Sequence, residues 1–234
     1  AAGDGRREPG EARGALNGLW LVLSAGGLWA CSSGLMASGP GRWWTLALFA
    51  SLPALPMLAG GMTTELPAIA FLAALAALIV NRASGTLWAG ALLSGALLGL
   101  KLSHAAAALP VLLYAAWRWR ASLPWKRLPL AVLLVAVVGI SSYSFAGHIS
   151  GNPVLPLLNA VFRSPYFALR NFDDDRWHAG FGPDLPWLIT FDTHRYHEAY
   201  DGGFGFALVA LAGVRARRRL LRRVPHRDPR NEKH

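Results

Sequence analysis

What most constrains this chain is a succession of apolar blocks in which charge is nearly absent. The blocks cover residues 15–38, 43–60, 66–80, 86–99, 105–117, 128–145 and 204–214, and several approach the ~20 residues that carry a helix across a bilayer. A soluble helical protein keeps a polar face on most of its helices, and these blocks mostly lack one. Only 15% of the 234 residues are charged, against roughly 25% in an ordinary soluble domain. The blocks are also dense in Ala, Gly and Leu, the small side chains through which helices approach closely where lipid removes the hydrophobic drive between them. The expected fold is an all-α, polytopic integral membrane bundle of about six or seven transmembrane helices. The chain divides into a polar leader (1–14), a transmembrane region (15–146), an extracytoplasmic loop of short helices (147–203), a last transmembrane helix (204–214) and a basic tail (215–234). The leader, AAGDGRREPGEARG, is too polar and Gly-rich to bury a core and reads as disordered, a linker or a truncation scar.

The formal charge of +10 would point towards nucleic acid in a soluble protein. Here it is concentrated in RWRASLPWKR (118–127) and RARRRLLRR (215–223), each flanking an apolar block. Such clusters read as cytoplasmic topology anchors that meet anionic membrane lipid, with no nucleic acid implied. With both clusters inside, block 128–145 runs outward, 147–203 lies outside and 204–214 returns. Counting backward puts Glu65, the group Lys101, Ser103 and His104, and the long loop on one extracytoplasmic side. The same count starts the first helix outside, next to Arg6, Arg7 and Arg13, against the positive-inside tendency. Cys31 is the only cysteine, which excludes an intrachain disulfide.

Few residues offer chemistry. Glu65 stands in TTELP at the mouth of an apolar block, where an ionised carboxylate faces water or a partner rather than hydrocarbon. The local sequence also suits a helix start: Thr63 or Thr64 as cap, an acid in the first turn, and Pro67 where its missing donor costs least. Lys101 closes another block in GLKLSHAAAALP; it either snorkels to the interface or, beside His104, presents a cation to a lipid-linked phosphate. The loop is rich in aromatics, prolines, acids and histidines, a composition unlike that of disordered segments. Within it, NFDDDRW carries Asp173, Asp174, Asp175 and Arg176. Consecutive acids need a turn to share one ion, so pairing with Arg176 or Arg170 is the plainer reading, and Asp173 and Asp175 are weak candidates for a divalent metal. His194 and His197 in HRYHE lie three residues apart, but nothing in the spacing supplies the further ligands of a zinc site. No nucleophile elbow, phosphate-binding loop or dinucleotide fingerprint occurs, and no cofactor is expected.

The order of LAGGMTTELPA, GALLGLKLSHAAAALP and SGNPVLPLLNAVF followed by NFDDDRW resembles bacterial membrane glycosyltransferases of the GT-C superfamily, relatives of the dolichyl-phosphate mannosyltransferases, over about residues 43–214. The resemblance implies transfer of a sugar from a polyprenyl-phosphate carrier to an extracytoplasmic acceptor at the bacterial inner membrane. It places Glu65 as a second acidic site and Lys101 as the phosphate-side cation, with His104, Arg163, Asp173, Asp174 and Arg176 as further substrate-binding candidates. The family's usual catalytic acid lies in a first external loop that nothing here matches. The chain therefore resembles the C-terminal portion of such an enzyme, with the catalytic base unassigned and a partner membrane chain as one way to supply it. Two other classes fit the same composition: a non-enzymatic membrane scaffold or subunit whose loop binds a partner, and a transporter fragment. Charges kept at the ends of the blocks disfavour transport.

Overall fold

The computed structural model describes residues 9–35, 39–61, 63–82, 84–174, 178, 180 and 182–195. The last apolar block, the basic tail, Asp175, Arg176 and His197 lie outside these. The described chain is helical, without a strand. Seven helices cover the first six apolar blocks: α1 (Pro9–Leu35), which begins within the leader, α2 (Gly39–Ala50), α3 (Ala54–Gly60), α4 (Glu65–Asn81), α5 (Thr86–Leu100), α6 (Leu102–Trp119) and α7 (Leu128–Ser150); α8 (Asn159–Phe162) and α9 (Leu185–Phe191) are short helices of the loop. By length and composition, Gly14–Leu35 and Leu128–Ser150 can cross a membrane. Block 43–60 is not one straight helix, because α2 and α3 meet at a bend of 64°. Pro53 sits in that break, where it removes a helical donor and turns Leu52 away from helical geometry. The bent pair is a third span if it is counted as one. Helices α4 and α5, at 17 and 15 residues, are apolar but shorter than a full span.

The described residues fall into two compact units, one holding those up to Ala50 and from Leu55 to Asp173, the other holding Ser51–Ala54 and those from Asp174 onward. In the first unit α4 is the central helix, packed against α1, α5 and α6. Its buried residues fall on two opposite faces, Leu66, Ala70, Ala73 and Ala77 on one and Ala68, Leu75 and Ile79 on the other, as expected for a helix packed between neighbours. Close approach is achieved with glycine: a Cβ on Gly27 of α1 would lie 2.9 Å from that of Ala73, and one on Gly95 of α5 would lie 2.8 Å from the Cβ of Val138 of α7.

Polar side chains repair the ends and breaks of the helices. Asn17 Nδ2 donates to the carbonyls of Ala59 (2.7 Å) and Gly61 (2.8 Å) at the end of α3, and Asn81 Nδ2 bridges from α4 to Ala30 of α1 (2.8 Å). Beyond α7, which ends in a left-handed Gly151, the chain wraps around Asn159. This side chain is fully buried; it donates to the carbonyls of Ser164, Phe167 and Ala168 and accepts from the Ser164 N–H (2.9 Å) and Asn152 Nδ2 (3.2 Å). In the second unit α9 is followed by a 3-10 turn over Thr193–Arg195, and Thr193 Oγ1 donates to Ile189 (2.8 Å).

Candidate functional site

The first turn of α4, the joint between α5 and α6, and the first turn of α6 come together. Lys101 is the whole of that joint. Its backbone is extended, its N–H donates to Leu97 at the end of α5 (3.3 Å), and its carbonyl accepts from His104 at the start of α6 (3.0 Å). One residue thus closes one helix and opens the next. From α6's start the chain turns back along α5, since Thr86 and Leu87 at the beginning of α5 line the same groove as Ala116 and Trp119 near the end of α6.

Lys101 Nζ lies 3.7 Å from Glu65 Oε1. The lysine side chain is 58% exposed and the glutamate 33%, so this is a solvated pair of the kind that contributes about 0–1 kcal/mol and leaves Lys101 available to a stronger anion. His104 joins through a third residue: Thr64 Oγ1 and His104 Nε2 are 3.1 Å apart, a hydrogen bond whose direction follows the imidazole tautomer. Thr64 occupies the N-cap position of α4 yet makes no side-chain cap bond. The hydroxyl expected to cap the helix is instead spent on holding His104, while Thr63 hydrogen-bonds the Glu65 side chain.

The three groups set one another's charge. Partial burial pushes the Glu65 carboxyl up, but hydrogen bonds from its own backbone and from Thr63, with the charges of Lys101 and His104, outweigh this and hold it below the ordinary 4.5. Partial burial pushes His104 below the ordinary 6.5; Glu65 opposes that shift and Lys101 reinforces it. At neutral pH the site therefore presents a carboxylate, an ammonium group and a neutral imidazole. An ammonium is a point-charge binder of phosphate, and a neutral imidazole can donate one proton to an anion or accept one.

Glu65, Lys101 and His104 are thus brought together, and Ser103 is exposed beside them. Arg163 is an exposed residue in left-handed conformation that ends α8, and it is not among the cations acting on Glu65. Asp173 is exposed and Asp174 half-buried; they fall on either side of the division between the two units. Among the described residues no three His, Cys, Asp or Glu side chains group as a metal would require, and Asp175 and Arg176 lie outside them. Two apolar cavities lie between the described helices, and neither is lined by Glu65, Lys101 or His104. Thr64 is the site residue whose role sequence reasoning misplaced; helix-start chemistry accounted for it so well that a partner 40 residues away carried no signal. Comparison of the chain with protein-family models, with curated proteins and with solved structures finds no match to any.

Proposed function

We propose that this chain acts as a membrane glycosyltransferase, or as part of one, moving a sugar from a polyprenyl-phosphate carrier to an acceptor outside the bacterial inner membrane. In this reading the α2–α3 pair, the apolar parts of α4, α5 and α6, and block 204–214 join the two long helices in a bundle of about six or seven spans, with the clusters at 118–127 and 215–223 on the cytoplasmic side. The observation that carries the reading is the meeting of Glu65, Lys101 and His104 at helix ends, 3.7 Å separating the carboxylate and the ammonium. A carrier phosphate arriving at this depth competes with Glu65 for Lys101 and receives a hydrogen bond from His104, while the released carboxylate is left to accept from a hydroxyl of the sugar or acceptor. Arg163, Asp173, Asp174 and Arg176 of the outer loop are the further groups proposed to meet the substrate. The catalytic base is left unassigned.

The test is binding of a radiolabelled polyprenyl phosphate to the full chain in phosphatidylcholine nanodiscs. Removing a charge-assisted bond costs about 1.5–3 kcal/mol, so Lys101→Ala should weaken binding about tenfold or more, whereas Glu65→Gln should bind at least as tightly as the parent. Absence of binding, or equal binding by Lys101→Ala, overturns the reading. A second reading, a scaffold subunit whose loop docks a partner, is favoured by Val161, Tyr166 and Leu169, which are 70%, 68% and 72% exposed. It predicts no carrier binding and a complex that is lost when these three are made polar.

A further inference from the structure

At the end of the bundle away from Glu65, the C-terminal half of α4, the start of α5, the end of α6 and the start of α7 enclose a groove of about 400 Å³, within the size range of small-molecule sites. Its wall is almost wholly hydrocarbon. The wall residues Trp119, Leu123, Pro124 and Leu128 are interleaved in sequence with Arg118, Arg120, Lys126 and Arg127, all four exposed. Arg120 uses one guanidinium N–H on the Trp117 carbonyl (3.3 Å) and keeps the others.

We propose that this groove binds the acyl chain of an anionic phospholipid, whose phosphate meets the cations beside the groove. The occupant follows from the combination of features. An apolar helix would fill the groove but leave the cations beside it without an anion, and a soluble anion would find the cations but leave the apolar wall wet. A zwitterionic lipid would satisfy the wall yet gain little from the four cations, which are drawn to an anionic surface. The inference rests on membrane placement and is independent of sugar transfer; the carrier-phosphate site at Lys101 is at the other end of α5.

The experiment is native mass spectrometry of the full chain released from vesicles of equimolar phosphatidylglycerol and phosphatidylcholine. The parent should retain phosphatidylglycerol at least about tenfold over phosphatidylcholine. Substituting Gln for Arg118, Arg120, Lys126 and Arg127, all on the surface, should abolish the preference but leave a bound lipid. Ala116→Phe, at an exposed position of the groove wall, should lose retained lipid of both kinds, and its far-UV circular dichroism should match that of the parent. Lys101→Ala should change nothing, which separates this site from the carrier site. Equal retention of the two lipids by the parent overturns the proposal, as does undiminished phosphatidylglycerol on Ala116→Phe, or a lipid-free dimer in which a second copy covers the groove. A misfolded Ala116→Phe would leave the cation variant to decide, because its loss of preference is required in any case.

Discussion

Two adjacent glycines in α1 allow the packing of α1 on α4 to be measured with the helix itself as control. A Cβ added at Gly26 has nothing within 4 Å, whereas one added at Gly27 would meet the Ala73 Cβ at 2.9 Å and the α4 backbone, Ala73 C and Ala74 N, at 3.1 Å. Both Gly→Ala changes relieve the same backbone entropy, about 1 kcal/mol in a helix interior, so this gain cancels when the two variants are compared. What remains is overpacking. Its contacts include backbone, which cannot rotate aside, so α1 must move away from α4 by about half an ångström to restore ordinary contact. Forced methylenes of this kind cost about 1–3 kcal/mol. At about 2–4 °C per kcal/mol for a chain of this size, Gly27→Ala should melt about 2–12 °C below Gly26→Ala. Thermal unfolding followed by far-UV circular dichroism, in one detergent and at one scan rate, reads the difference directly. Coincident melting of the two variants, or a more stable Gly27→Ala, would refute the close contact between α1 and α4.

Two further expectations come from the site and the loop. Because Glu65 and His104 both have folded pKa values below their ordinary 4.5 and 6.5, the unfolded chain binds more protons than the folded one. Stability is therefore full above about pH 6.5 and falls on acidification, first as His104 and then as Glu65 is protonated; a chemical denaturation series from pH 8 to pH 4 checks it, and a rise in stability over that window would contradict the assignment. Asn159→Ala removes the partners of the carbonyls of Ser164, Phe167 and Ala168 and of the Ser164 N–H, of which the two on buried Ser164 cost about 1–3 kcal/mol each when left unpaired, so the turn around it should open to protease while α7 keeps its amide protection in hydrogen exchange.

The helices were legible in the sequence because an apolar block ends where charge, Gly or Pro begins, and α4, α5 and α7 start within a residue of the predicted block. The bend between α2 and α3 was not, since hydropathy averages over Pro53 while backbone geometry cannot. Glu65, Lys101 and His104 were singled out as ionisable side chains at the ends of apolar runs, and charge counting placed them on one side; the distance between them belongs to the packing of α4 on α5, which no local pattern encodes. The Asn159 turn shows the same limit. Its sequence, GNPVLPLLNAVF, is distinctive, but the bonds that order it reach five to nine residues ahead of Asn159, and an asparagine in a loop reads equally well as a solvated one.

Lys101 is held in place by α7, which never touches the chemistry. The break that creates the joint leaves the last carbonyls of α5 without helical donors. Tyr143 donates to the Leu98 carbonyl (2.8 Å) and Ser142 to that of Gly99, so α7 supplies the missing donors and fixes the end of α5 from which Lys101 extends. Each bond is worth about 0.5–1.5 kcal/mol. Substituting both, Ser142→Ala with Tyr143→Phe, should therefore loosen the joint and weaken polyprenyl-phosphate binding severalfold, with overall helicity unchanged. Lys101→Ala in that background should then cost less than it does alone, because a cation that is no longer positioned has less to lose. Strict additivity of the two effects would mean that α7 stabilises the bundle without positioning Lys101.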